Sequence, residues 1–84
     1  MTREAVLQTL AEWIGEITER APPRLSFDTD LLKDLALDSL ALAELGSRVW
    51  LRYAVHLRMS EIADTTRVGA LIDLLEKKLG RPLA

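Results

Sequence analysis

Apolar residues recur at three- and four-residue steps in three separate stretches of this chain, and nowhere do apolar and polar residues alternate as in a half-buried strand. That periodicity restricts the fold to packed helices. In the first stretch, from about Arg3 to Arg20, Val6, Leu7, Leu10, Trp13, Ile14 and Ile17 line one side, while Glu4, Gln8, Glu12, Glu16 and Glu19 fill the other. Thr2 is placed to cap its start. Ala21-Pro22-Pro23 ends it, because proline lacks an N–H and disfavours a helical residue before it.

The second stretch opens at Asp38-Ser39 and runs to about Tyr53. Asp38 is a good N-cap, which puts Ser39 in the first turn. Leu42, Leu45, Val49 and Tyr53 form a stripe for the core, and Leu40, Ala43, Ser47 and Trp50 form a second stripe at the same spacing but rotated. The third stretch, about Arg67 to Leu79, buries Val68, Leu71, Ile72, Leu75 and Leu79, with Thr66 expected as its cap and Gly80 then Pro82 as its stop. Between these lie two irregular segments. From Pro22 to Leu37, Leu25, Phe27, Leu31, Leu32 and Leu35 are expected to anchor a long loop, with Asp30 capping a turn over Leu31 to Leu35. From Ala54 to Thr65, a short helix is expected over Ser60 to Ala63. The expected fold is all-α: a four-helix bundle of three main helices and one short one, with the long loop after the first.

A chain of 84 residues, 49% of them apolar, is expected to fold as one domain, residues 1–84, with a stability of only about 3–5 kcal/mol. Such a chain has little room for an enclosed active site; a surface attachment point or a flat partner face suits it better. The formal net charge of −2 supplies no footprint for nucleic acid. With no cysteine there are no disulfides and no thiolate metal sites. His56, the single histidine, has no cluster of acids or histidines around it in sequence and reads as a lone surface residue. Glu4 and the lack of an unbroken apolar run argue against a signal peptide, and no run approaches the length of a membrane span. The expectation is a complete, cytoplasmic, monomeric protein with no membrane partner.

Asp38-Ser39-Leu40 opening a helix after a long anchored loop, in a short acidic four-helix chain, resembles the acyl and peptidyl carrier proteins. The resemblance covers nearly the whole chain. Asp30-Leu31-Leu32-Lys33-Asp34-Leu35 is similar to the family's approach to its serine. Leu40, Glu44-Leu45 and Val49 are similar to its second helix. Thr66 through Leu75 is similar to its last helix, above all in the polyketide and peptide-synthesis branches. The resemblance implies 4′-phosphopantetheine covalently attached to Ser39, with Asp38 and Leu40 at the attachment site. It also implies a phosphopantetheinyl transferase as partner, together with loading, synthase and tailoring enzymes. The family usually has glycine two residues before the aspartate, where this chain has Ala36; if that position needs a positive φ, alanine there costs about 1 kcal/mol.

The chemistry suits these residue types. A phosphodiester is anionic, and a helix N-terminus offers unpaired N–H groups and partial positive charge. Serine adds a hydroxyl without bulk, and the transferase activates it. Asp38 either caps the helix alone or also offers charge to the transferase. The resemblance also makes the second helix, through Ala43, Ser47, Arg48 and Trp50, the expected partner face. Arg48 and Arg52 make it less acidic than in fatty-acid-synthesis carriers, pointing to polyketide or nonribosomal-peptide assembly. Gly46 either opens space between helices, with Ile62, Ala63 and Val68 opposite, or permits close packing. The competing readings are a fatty-acid-synthesis or D-alanyl-type carrier, a helical protein-interaction module that is no carrier, and a small hydrolase using Ser39, His56 and Asp38. The last must bridge about 17 residues, roughly 25 Å along a helix.

Overall fold

The computed structural model describes residues 2–83. It contains four helices, α1 (Arg3–Thr18), α2 (Ser39–Tyr53), α3 (Met59–Asp64) and α4 (Val68–Leu79), and no strand beyond one isolated antiparallel bridge between Asp30 and Arg67 among the described residues. α1 packs on α2 and α4, and α3 on α2. Val6, Leu10 and Ile14 of α1, Leu42, Leu45 and Val49 of α2, and Val68, Leu71, Ile72 and Leu75 of α4 form one buried cluster. These are the residues that the three-and-four spacing selects. Leu7, Trp13, Ile17, Tyr53 and Leu79 are only partly buried and close the cluster at its edges. The core also takes in Val55, Leu57, Ile62 and Leu83, of which only Ile62 lies in a helix.

The helix ends follow local chemistry. The Thr2 hydroxyl accepts the Ala5 N–H at 2.9 Å, as expected of the cap. α1 stops two residues before Arg20, because Glu19 turns into the left-handed region at φ 57° and its N–H bonds back to α1 carbonyls. The chain then folds across Gly15: a Cβ there would lie 3.0 Å from the Arg20 carbonyl oxygen and from the Pro22 backbone. Gly80, at φ 75°, ends α4 through bonds to the Glu76 and Lys77 carbonyls, as its position predicts.

Three expectations are corrected. Thr66 does not cap α4; its hydroxyl donates to Asp30 Oδ2 at 3.1 Å, across the loop. The cap position falls on Arg67, without a side-chain cap bond, and the first N–H groups of α4 go instead to loop carbonyls: Val68 to Thr29 at 2.9 Å and Gly69 to Phe27 at 2.8 Å. Leu32 is not an anchor, since it lies exposed, whereas Leu31 is fully buried and Leu25, Phe27 and Leu35 pack against the core. Ala63 is exposed and lines no groove, and Val68 belongs to the core.

The short helix, expected over Ser60 to Ala63, extends one residue further at each end. It is held by one apolar side chain and one ion pair. Ile62 enters the core, and Lys78 of α4 reaches Glu61 at 2.8 Å and the His56 carbonyl at 3.1 Å. The Lys78 ammonium, together with the Arg58 N–H, holds the Glu61 carboxyl below its ordinary range.

Candidate functional site

The loop before α2 sets the position of Ser39. Asp30 begins a turn by accepting the Leu32 N–H at 2.8 Å and the Lys33 N–H at 2.9 Å on one carboxylate oxygen. The Lys33 N–H is the chief reason why its carboxyl titrates below the usual range, with Leu32 and Thr66 adding to it against a partial desolvation. The turn closes at Ala36, which stands at φ 54° and donates its N–H to the Leu32 carbonyl at 3.1 Å. This is the left-handed ending that glycine usually provides. The residue where the family's glycine is expected therefore does occupy a positive-φ position, and alanine holds it. Leu37 follows, buried, and pins the chain to the core immediately before the helix.

Asp38 then caps α2: its Oδ1 accepts the Ala41 N–H at 2.8 Å. Ser39 is the first helical residue and is exposed. Its hydroxyl makes no hydrogen bond among the described residues, and neither the Ser39 N–H nor the Leu40 N–H has a partner there. An open hydroxyl therefore sits beside two unpaired donors at the positive end of a 15-residue helix. An anion held there gains typically about 0.3–1 kcal/mol. Leu40 is 76% exposed beside it.

Down α2 from Ser39, Ala43, Ser47 and Trp50 are all exposed, and the rotated stripe read from the sequence does face outward. Sequence spacing did not single out Leu51, 81% exposed, or Met59, exposed at the start of α3; both extend the apolar character of this surface. A run of apolar residues at the end of α2 was visible, but which of them turn outward depends on where α1 and α3 pack. Arg48 is drawn the other way: it pairs with Glu16 on α1. Arg52 lies over the Tyr53 ring, 5.7 Å from its centroid.

A groove of about 290 Å³ runs between α2 and α3, bordered by Ala43, Gly46, Trp50, His56, Met59 and Ile62. Gly46 is buried at its floor, and a Cβ there would meet Ile62 Cδ1 at 3.0 Å, so the glycine serves close packing of α3 on α2. His56 stands edge-on to the Trp50 ring at 6.5 Å between centroids. It therefore lies beyond the far end of α2 from Ser39, and Asp38, Ser39 and His56 do not converge.

The open hydroxyl and N–H groups at Ser39 suit an anionic phosphodiester. Residues 5–75 match the phosphopantetheine attachment site family, and the chain belongs to it. It is 25% identical over 76 residues to an acyl carrier protein of Rhodococcus erythropolis, covering 90% of this chain and 84% of that one. It is 28% identical over 76 residues to a meromycolate extension acyl carrier protein of Mycolicibacterium smegmatis, covering 90% and 77%. It is 29% identical over 73 residues to polyketide-8 synthase acyl carrier protein 2 of Streptomyces avermitilis, covering 87% and 84%. The protein is a phosphopantetheine carrier that tethers acyl intermediates, and such carriers are served by a phosphopantetheinyl transferase and by synthase enzymes. The covalently attached 4′-phosphopantetheine supplies a terminal thiol on which the acyl group is held. No helix among the described residues is long and apolar enough to cross a membrane.

Proposed function

We propose that Ser39 bears the phosphopantetheine, that Asp38 and Leu40 frame the attachment, and that residues 1–84 act as one monomeric carrier domain in the cytoplasm, without catalysis of its own. The observation that carries this reading is the exposed, unbonded Ser39 hydroxyl beside two free N–H groups at the start of α2. Asp38 holds the helix start in place and leaves those donors open. The outward stripe of Leu40, Ala43, Ser47 and Trp50, continued by Leu51, supports a partner face on α2. Arg48, engaged by Glu16, contributes to that face as part of a fixed α1–α2 pair and not as a free cation.

The cargo is an acyl or aminoacyl intermediate of polyketide or nonribosomal-peptide assembly. Support comes from the mixed charge of α2 and from the likeness to a polyketide synthase carrier. A second reading, extension of long acyl chains, is favoured by the relatives named for meromycolate extension. Intact-mass spectrometry after incubation with coenzyme A and a broad-specificity transferase tests the attachment. One added phosphopantetheine, lost in Ser39→Ala, is the expected result. No addition with several unrelated transferases would instead leave a helical interaction module.

A further inference from the structure

A second cleft, of about 340 Å³, lies where the first turns of α2 meet the end of α1, away from the α2–α3 groove. Its walls are the end of α1, the loop from Leu35 to Leu37, and the first turns of α2. Both chain neighbours of Ser39, Asp38 and Leu40, line it, whereas the lining of the α2–α3 groove begins only at Ala43, a full turn further on. An arm tethered at Ser39 thus meets this cleft first. Its apolar wall is Ile17, Leu37 and Leu40; its charged groups are Arg20, Asp38 and Glu44. Arg20 is the only basic residue among them, and no carboxylate lies within ion-pair distance of it among the described residues. Asp38 is already engaged with the Ala41 N–H.

On the reading that Ser39 carries the phosphopantetheine, we infer that this cleft seats the arm and that Arg20 receives an anionic group borne by it. The shared chemistry is an oxyanion, either the phosphodiester at the base of the arm or a carboxylate on the cargo. Glu44, the one carboxylate of the cleft with no hydrogen-bond partner among the described residues, lines the same cleft and its charge opposes an anion entering it. Its removal should therefore strengthen the contact. Apolar parts of the arm rest on Ile17 and Leu37, which line the cleft.

The test is side-chain and backbone NMR of four intact forms: unmodified, phosphopantetheinylated, acetyl-loaded and malonyl-loaded. Mass spectrometry first establishes the modification at Ser39, so failure of attachment is distinguished from failure of seating. An Arg20 Nε–H shift on phosphopantetheinylation, with shifts at Thr18 and Leu37, assigns the phosphodiester. An Arg20 shift that appears with malonyl but not acetyl assigns the cargo carboxylate. Arg20→Gln should remove the accompanying shifts at Thr18 and Leu37, and Glu44→Gln should enlarge the Arg20 response. A fully modified chain whose Arg20 signals stay fixed in all four forms, or whose shifts fall only on Ala43, Trp50, His56 and Met59, overturns the inference.

Discussion

The second helix and the last one start in opposite ways. At α4 the start is closed: loop carbonyls of Thr29 and Phe27 take the Val68 and Gly69 N–H groups, Leu31 bonds the Thr66 carbonyl at 2.8 Å, and the Thr66 hydroxyl is spent on Asp30. At α2 the start is open: Asp38 satisfies the Ala41 N–H alone, and the Ser39 hydroxyl and two donors face solvent. A residue of the kind that caps helices stands near both starts, Asp38 directly before α2 and Thr66 two residues before α4, yet only Asp38 caps. The difference arises from what the loop touches. The segment from Phe27 to Leu31 lies along the start of α4 and fixes it, then turns at Ala36 and delivers α2 with its first residues uncovered. One loop thus fastens one helix start and leaves the other exposed.

The strongest way to break the closed start is Gly69→Ala. A Cβ at this position would lie 2.8 Å from the Phe27 carbonyl oxygen, the same atom that accepts the Gly69 N–H. The obstacle is backbone and cannot swing aside. Alanine in an open helix would raise stability by about 1 kcal/mol over glycine. Here the crowding reverses the sign, and a loss of about 2–3 kcal/mol is expected. In a chain of this size that lowers the melting temperature by roughly 10–20 °C. Gly46→Ala is the control: its obstacle is the end of the Ile62 side chain, which can yield. Urea denaturation of both variants checks this, and a Gly69→Ala protein within about 0.5 kcal/mol of the parent would show that the loop does not clamp α4.

This contrast between helix starts was only half legible in the sequence. The open start was readable, because Asp38 caps by a contact three residues away and Ser39 follows from counting. The three helices were readable for the same reason: Val6, Leu10 and Ile14, or Leu71, Ile72 and Leu75, answer to a period set by the helix itself. The closed start was not. Thr66 looks like a cap from its neighbours, and only the arrival of Asp30 from 36 residues away explains why its hydroxyl serves elsewhere. Gly15 and Gly69 are likewise defined by chain segments that approach from outside their helices, and Leu83, buried in the core, donates its N–H to Glu76 at 2.7 Å. Arg48, which the sequence places on the partner face, is engaged by Glu16 of α1, a contact set by how the two helices pack. At the candidate site, the family's glycine position gave a conditional expectation at Ala36, and the backbone at φ 54° meets its condition.

A substitution at that position sharpens the comparison from the side of the open start. Ala36 holds a left-handed conformation that disfavours a Cβ, so Ala36→Gly should relieve strain worth about 1 kcal/mol, offset in part by the greater freedom glycine gives the unfolded chain. The net expectation is a small gain in stability, below about 1 kcal/mol, with the rate of phosphopantetheine transfer to the chain retained because Leu37 and Asp38 still place the helix. Thermal unfolding and single-turnover modification measured on the same samples check both parts. A clear loss of stability would mean that the Ala36 methyl makes contacts worth more than the strain.

The smallest effect is expected from acid, and it falls on the closed start. The Asp30 carboxylate accepts two backbone N–H groups and the Thr66 hydroxyl, and its pKa is lowered from 3.8 chiefly by the Lys33 N–H. Because the folded chain binds this proton less readily than the unfolded one, the carboxylate stabilises the fold fully above its unfolded value. That contribution is lost as the pH falls below 3.8 and through the lower folded-state value. Asp30→Asn should be less stable than the parent at neutral pH, and the gap should narrow in acid, since the parent then loses what the variant never had. Hydrogen exchange locates the effect: lowering the pH should speed opening at Val68 and Gly69 in the parent, after correction for the intrinsic pH dependence of exchange, and should do so less in Asp30→Asn. An unchanged gap between the two proteins from neutral pH to pH 3 would assign the difference to the shape of the Asp30 side chain and not to its charge.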